Sequence, residues 1–143
     1  HFVKNTSGIY MEGTTRIKVE KNVFKANGWG MKIQASCMDN EIRHNNFLGN
    51  TFDIGTNGSL VLNKFNGNYW DKYQGYDLDK DSFGDVPYHP LSLFAVLTES
   101  NPATMLLFRS FIITLLDKSE KVLPSITPDN FVDNKPLMKS LPL

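Results

Sequence analysis

The sequence predicts an all-β fold, a parallel β-helix carrying an α-helical C-terminal tail. Three observations carry that expectation: an internal repeat of about twenty residues, short alternating apolar pieces broken by turn residues, and a change to long apolar runs after residue 90. The expected organisation is coils over residues 1–70, an acidic loop or cap over 71–90, and a helical docking tail over 91–143.

The repeat comes first. A Phe-x-x-Asn signature occurs at Phe2, Phe24, Phe47 and Phe65, with spacings of 22, 23 and 18 residues. Aligned on these phenylalanines, Val19, Ile42 and Leu60 share a column, as do Asn22, Asn45 and Asn63, and Trp29, Phe52 and Trp70. Pieces such as "RIKVEKNVF" and "GMKI" alternate like strands and contain no helical period. A coil of about twenty residues cannot bury its own apolar face, whereas stacked coils form parallel sheets around a continuous core. The asparagine column then reads as a ladder at a tight corner, since Asn tolerates left-handed backbone and stacked amides bond along the stack. Because the first coil starts at its Phe, further coils are expected to precede it, covering an otherwise exposed sheet edge.

The run "DLDKDSFGD" follows the last coil. Asp77, Asp79, Asp81 and Asp85 fall at positions 1, 3, 5 and 9 of a calcium-loop pattern, with the Phe83 carbonyl at position 7. Hard oxygens at alternate positions suit a structural Ca²⁺ ion, although Ser82 stands where glycine is usual and no Glu occupies position 12, near His89. Acid–base catalysis is not expected here, because these carboxylates share a turn rather than a cleft.

In the tail, "PLSLFAVLTES" reads as a short helix and "NPATMLLFRSFIITLLDKSEKVL" as a longer one, capped by Asn101 with Pro102 at its first position and stopped by Pro124. Both are apolar nearly all round. Leu93, Phe94, Leu97, Met105, Phe108, Phe111, Ile112 and Leu115 are therefore expected to meet a partner protein as well as the solenoid end. Residues 124–143, with spaced prolines, read as an extended strap ordered against something.

Composition narrows the classes. Fifteen basic and fifteen acidic residues in 143 leave no net charge, so neither nucleic acid nor an anionic membrane surface is an expected partner. Arg109 interrupts the most apolar run, so no membrane span of its own is expected. The start "HFVKN" lacks a signal sequence, and the chain reads as part of something longer. The single cysteine, Cys37, has no internal disulfide partner.

"NKFNGNYWDKYQGYDLDKDSFGDVPYHPLSLFAVL" resembles the closing segment of NosD-type proteins, the periplasmic maturation factors of nitrous oxide reductase, and "ESNPATMLLFRSFIITLLDKSEKVLPSITPDNFVDNKPLM" resembles their C-terminal tail. The resemblance implies a right-handed, pectin-lyase-like parallel β-helix in the periplasm. It also implies an adaptor rather than an enzyme, working with an ABC-transporter permease and ATPase to supply copper to the reductase, directly or through a copper chaperone. The chain departs from the family's usual glycine-rich "DGDGIGD" at Lys80, Ser82 and Phe83.

Copper carried transiently would favour sulfur and imidazole ligands. Met31 shares a column with Ile9 and Ile54, and Met11 with Ile33, which marks both as core. Cys37 and Met38, with His44 six residues after Met38, form the remaining candidate cluster. The alternative class is a carbohydrate-binding or carbohydrate-processing β-helix, for which Trp29, Phe52 and Trp70 would have to be an exposed platform.

Overall fold

The computed structural model describes residues 1–57, 62–91 and 131–143. Its strands are β1 (Phe2–Val3), β2 (Ser7–Met11), β3 (Lys18–Glu20), β4 (Val23–Lys25), β5 (Trp29–Ile33), β6 (Glu41–Arg43), β7 (Asn46–Leu48), β8 (Phe52–Gly55), β9 (Lys64–Asn66) and β10 (Tyr69–Trp70). They pair only with strands one coil away, always in parallel, giving the sheets β1-β4-β7-β10, β2-β5-β8 and β3-β6-β9. This is the expected parallel β-helix. The helices expected between residues 91 and 123 fall on residues 92–130, outside the described residues, apart from Leu91, which is not helical. Residues 131–143 contain no helix.

A four-residue code makes the corners. An inward apolar residue is followed by an outward one, then a residue in left-handed conformation, then Asn: Phe24-Lys25-Ala26-Asn27, Cys37-Met38-Asp39-Asn40, Ile42-Arg43-His44-Asn45 and Phe47-Leu48-Gly49-Asn50. The left-handed residue is therefore the one before Asn, not Asn itself as the sequence reading has it. Ala26, Asp39 and His44 have φ of 55°, 56° and 52°. Each such non-glycine residue costs about 1–2 kcal/mol. The asparagine behind it offsets that cost, because it binds the coils on both sides. Asn45 Oδ1 accepts the backbone N–H of Asn22 at 3.0 Å, while Asn45 Nδ2 donates to Asn68 Oδ1 at 3.0 Å and to the Val19 carbonyl at 2.8 Å.

These bonds define the ladders and correct the predicted columns. Asn22–Asn45–Asn68 is one ladder, Asn40–Asn63 a second and Asn27–Asn50 a third. Asn63 thus belongs with Asn40, not with Asn45. The aromatic columns shift likewise: Phe65 pairs with Ile42, and Trp70, not Phe65, continues the stack Phe2–Phe24–Phe47–Trp70, whose ring centroids are 5.1, 4.7 and 4.2 Å apart. Trp29 and Phe52 pair in a different sheet with their rings tilted at 30°, and Trp70 is not in their column. The Met11–Ile33 and Ile9–Met31–Ile54 columns are as expected.

Inside, Phe24, Phe47, Met31, Ile33, Ile42 and Ile54 are fully buried. Each stabilises the fold by about 1.5–3 kcal/mol on removal from water. On the outer face Arg43 pairs with Glu20 at 2.8 Å and Glu41 at 3.3 Å, a partly exposed bridge of small energetic weight.

Candidate functional site

The solenoid does not stop at β10. After the loop 71–90, three short pieces follow the rungs of the last coil in order: Leu91 bridges Ile54, Asp133 bridges Phe65, and Leu137 bridges Tyr69. Asp133 and Leu137 are four positions apart, as are Phe65 and Tyr69, so residues 133–137 keep the coil register. Phe131 lies 5.9 Å from the Phe65 ring, and Leu91 and Phe131 are both buried. Of the strap expected over 124–143, the described part orders against the solenoid itself.

Asp133 closes the main ladder. Its carboxylate accepts the backbone N–H groups of Gly67 (3.1 Å), Asn68 (3.0 Å) and Lys135 (3.1 Å), the Asn68 side-chain amide (3.0 Å) and the Trp70 indole N–H (3.1 Å). An acceptor-only group suits a ladder end, where an amide would bring donors of its own with nothing above to take them. The coil register places Pro136 opposite Asn68, and proline has no N–H that would require another rung. The sequence reading missed Asp133; its signal is the alternation Phe131-Val132-Asp133 followed by Pro136.

The acidic run lies over this strap. Phe83 and Tyr88 bridge Leu137 and Asp133 in antiparallel sense, the Gly84 N–H donates to the Pro136 carbonyl, and the Met138 N–H donates to the Ser82 carbonyl. Gly75 and Gly84 flank the Tyr73 hydroxyl so closely that a Cβ on either would collide with it, and that hydroxyl donates to the Val86 carbonyl at 2.6 Å. Burial pushes the Tyr73 hydroxyl above its ordinary pKa.

Of the five expected calcium ligands, three converge: Asp77, Asp79 and Asp81 offer oxygens within 4.8 Å of one another. Backbone N–H groups already engage part of their acceptor capacity. The Asp81 N–H donates to Asp77 (3.1 Å) and Asp79 (3.3 Å), the Ser82 N–H to Asp77 (3.0 Å) and the Phe83 N–H to Asp81 (2.8 Å). Asp85 accepts the Leu78 N–H at 2.7 Å and does not join the group. The Asp81 N–H draws the Asp79 carboxyl down, but desolvation and the charges of Asp81 and Asp85 outweigh it and leave the group above its ordinary value. With one oxygen from each, the three carboxylates supply half of the lower limit of six oxygens that calcium takes.

The copper candidates stand at two corners on either side of β6. Cys37 is fully buried and its sulfur accepts the Thr14 hydroxyl at 3.3 Å, Met38 beside it is 48% exposed, and His44 is half-buried. No three-ligand group of His, Cys, Asp or Glu among the described residues includes Cys37 or His44. The code above explains Cys37 as an inward corner residue. The proposed docking residues Leu93, Phe94, Leu97, Met105, Phe108, Phe111, Ile112 and Leu115 lie outside the described residues. No described helix is long and apolar enough to cross a membrane.

A second buried acid also went unnoticed in the sequence. Asp53 stands in the register of Gly30, with Lys72 Nζ at 3.4 Å and Asn50 Nδ2 at 3.4 Å. Burial pushes its carboxyl up, and Lys72 only partly opposes this.

Comparison with known proteins gives two results. Residues 1–75 match the family model described as "Periplasmic copper-binding protein (NosD)". Two similar proteins are each called "Probable ABC transporter binding protein NosD". The one from Pseudomonas aeruginosa is 32% identical over 125 residues, and the one from Stutzerimonas stutzeri is 32% identical over 124. Both alignments cover 85% of this chain, which spans 29% and 28% of the length of those relatives.

Proposed function

We propose a function on the premise that this chain belongs to the NosD family of periplasmic copper-binding proteins: it is the capped end of a periplasmic solenoid that works as an adaptor for an ABC transporter in copper supply. The observation that carries this reading is that the coils matched to the family are followed, after the loop 71–90, by an end closed by Asp133, and that the long apolar stretch 92–130 lies in sequence between the two rungs Leu91 and Asp133 of that end. In this reading the segment docks on the transporter permease, ATP is hydrolysed by the partner ATPase, and the copper is destined for nitrous oxide reductase, directly or through a chaperone. The chain itself catalyses nothing. Copper handling resides in the longer protein or its partners, because Cys37 is committed to the core and to Thr14.

The carbohydrate reading loses its main support. Trp29 and Phe52 are each 6% exposed and Trp70 is 1% exposed, so no aromatic platform faces solvent at these positions.

Co-purification tests the proposal. The full-length protein carrying this segment is expected to retain a permease–ATPase pair from solubilised membranes, and to lose it when the apolar residues Met105, Phe108, Phe111 and Ile112 are changed to Ser. Capture that survives these changes contradicts the docking role.

A further inference from the structure

The residues that flank the apolar segment, Leu91 on one side and Phe131 and Asp133 on the other, both contact the same coil. In the third coil, Ile54 and Phe65 are 11 positions apart, and in the second Met31 and Ile42 are also 11 apart. Leu91 and Asp133, which bridge Ile54 and Phe65, are 42 apart. Leu91, Asp133 and Leu137 thus repeat the rung order of β8, β9 and β10 with one corner enlarged. The closing contacts made by described residues, from Phe131 on Phe65 to the four donors that Gly67, Asn68 and Trp70 direct at Asp133, join rungs of the solenoid to the strap.

We infer that residues 92–130 are an insertion into one corner of a composite last coil, held at both ends, and that the cap closes without them. The inference rests on the docking reading only for what the insertion does, not for where it is inserted. A partner-binding element fixed at two points is presented from a rigid base with less orientational freedom than a terminal tail, which lowers the ordering cost of association.

The test uses two variants of the full-length protein. In one, residues 92–130 are replaced by the eight residues Lys32–Asp39, which keep the spacing of 11 between the rungs of Leu91 and Asp133; in the other, the chain ends after Leu91. The readouts are amide exchange at Gly67 and Asn68, and capture of the permease–ATPase pair. The excised variant is expected to keep both amides as protected as in the parent and to lose capture. The shortened variant is expected to exchange both at least about tenfold faster, because Asp133 is gone. If excision exposes the two amides as shortening does, the segment is integral to the cap and the inference is overturned. If excision preserves protection and capture together, the insertion stands and the docking reading falls.

Discussion

Asn68 and Asp133 are 65 positions apart, yet the backbone N–H and side-chain amide of Asn68 both end on one oxygen of the Asp133 carboxylate, each at 3.0 Å. Both residues have no exposed surface. A ladder built from residues 23 positions apart is thus completed by a residue from a distant segment, which supplies acceptors and no donors. An Asp133→Ala change removes the acceptor of the Gly67, Asn68 and Lys135 N–H groups, of the Trp70 indole and of one Asn68 amide N–H, the other keeping the Ile42 carbonyl at 2.9 Å. At about 1–3 kcal/mol for an orphaned group, partly relieved by water entry, a loss of roughly 3–5 kcal/mol is expected in urea unfolding. Asp133→Asn keeps the shape but directs two donors at a site full of donors, and an intermediate loss is expected.

Position along the ladder should grade the cost of losing an amide. Asn45 is buried and serves coils on both sides, whereas Asn22 donates to Asn45 and to its own corner from a half-exposed position. Asn45→Ala is expected to cost about 2–4 kcal/mol and Asn22→Ala about 1 kcal/mol, read from unfolding midpoints at constant slope.

Two left-handed glycines separate backbone strain from steric collision. Gly49 and Gly67 have φ of +60° and +65°, but a Cβ at Gly49 meets nothing within 4 Å, whereas one at Gly67 falls 3.1 Å from the His44 ring. Gly49→Ala should cost about 1 kcal/mol, in line with the alanine already tolerated at position 26. Gly67→Ala should cost measurably more, and His44→Ala in the same chain should recover the excess. A double-mutant cycle with no coupling between the two sites contradicts the contact.

The buried Asp53 gives stability a pH dependence of defined sign. Its folded-state pKa is raised by burial, so the native chain holds this proton more tightly than the unfolded chain. This contribution is fully present below the ordinary carboxylate value of about 3.9, and is lost as pH rises through the raised folded value. Asp53→Asn is therefore expected to be at least as stable as the parent once pH exceeds the raised folded value, and to have a flatter profile above about pH 4, measured as the difference between unfolding free energies.

Much of the scaffold is legible in sequence, because the repeat is written by inward-facing Val, Ile and Phe and by the asparagines behind each corner. The register of the last coil is not. Phe65-Asn66-Gly67-Asn68 and Phe47-Leu48-Gly49-Asn50 share the same corner code, but they turn different corners, since Phe65 pairs with Ile42 and Trp70 with Phe47. A local motif identifies the kind of turn and not its place in the coil, and the odd spacing of 18 was the sign of that. Asp133 differs: the alternation Phe131-Val132-Asp133 before Pro136 marks a strand-like piece, but its partners lie across a long apolar segment, and no local pattern records a pairing at that distance. For the acidic run, the spacing revealed Asp77, Asp79 and Asp81 as neighbours, but not that backbone N–H groups and the strap beneath would engage the loop.

Hydrogen exchange at the Gly67 and Asn68 amides, together with the Trp70 indole N–H, reads most directly whether the strap is the last rung of the solenoid or a loosely attached tail. All three protons end on Asp133 and should exchange only through global unfolding, with the same denaturant dependence as core amides such as that of Phe47. Fast, denaturant-independent exchange of the three while Phe47 remains protected would show the end of the solenoid to be open, and would contradict the account.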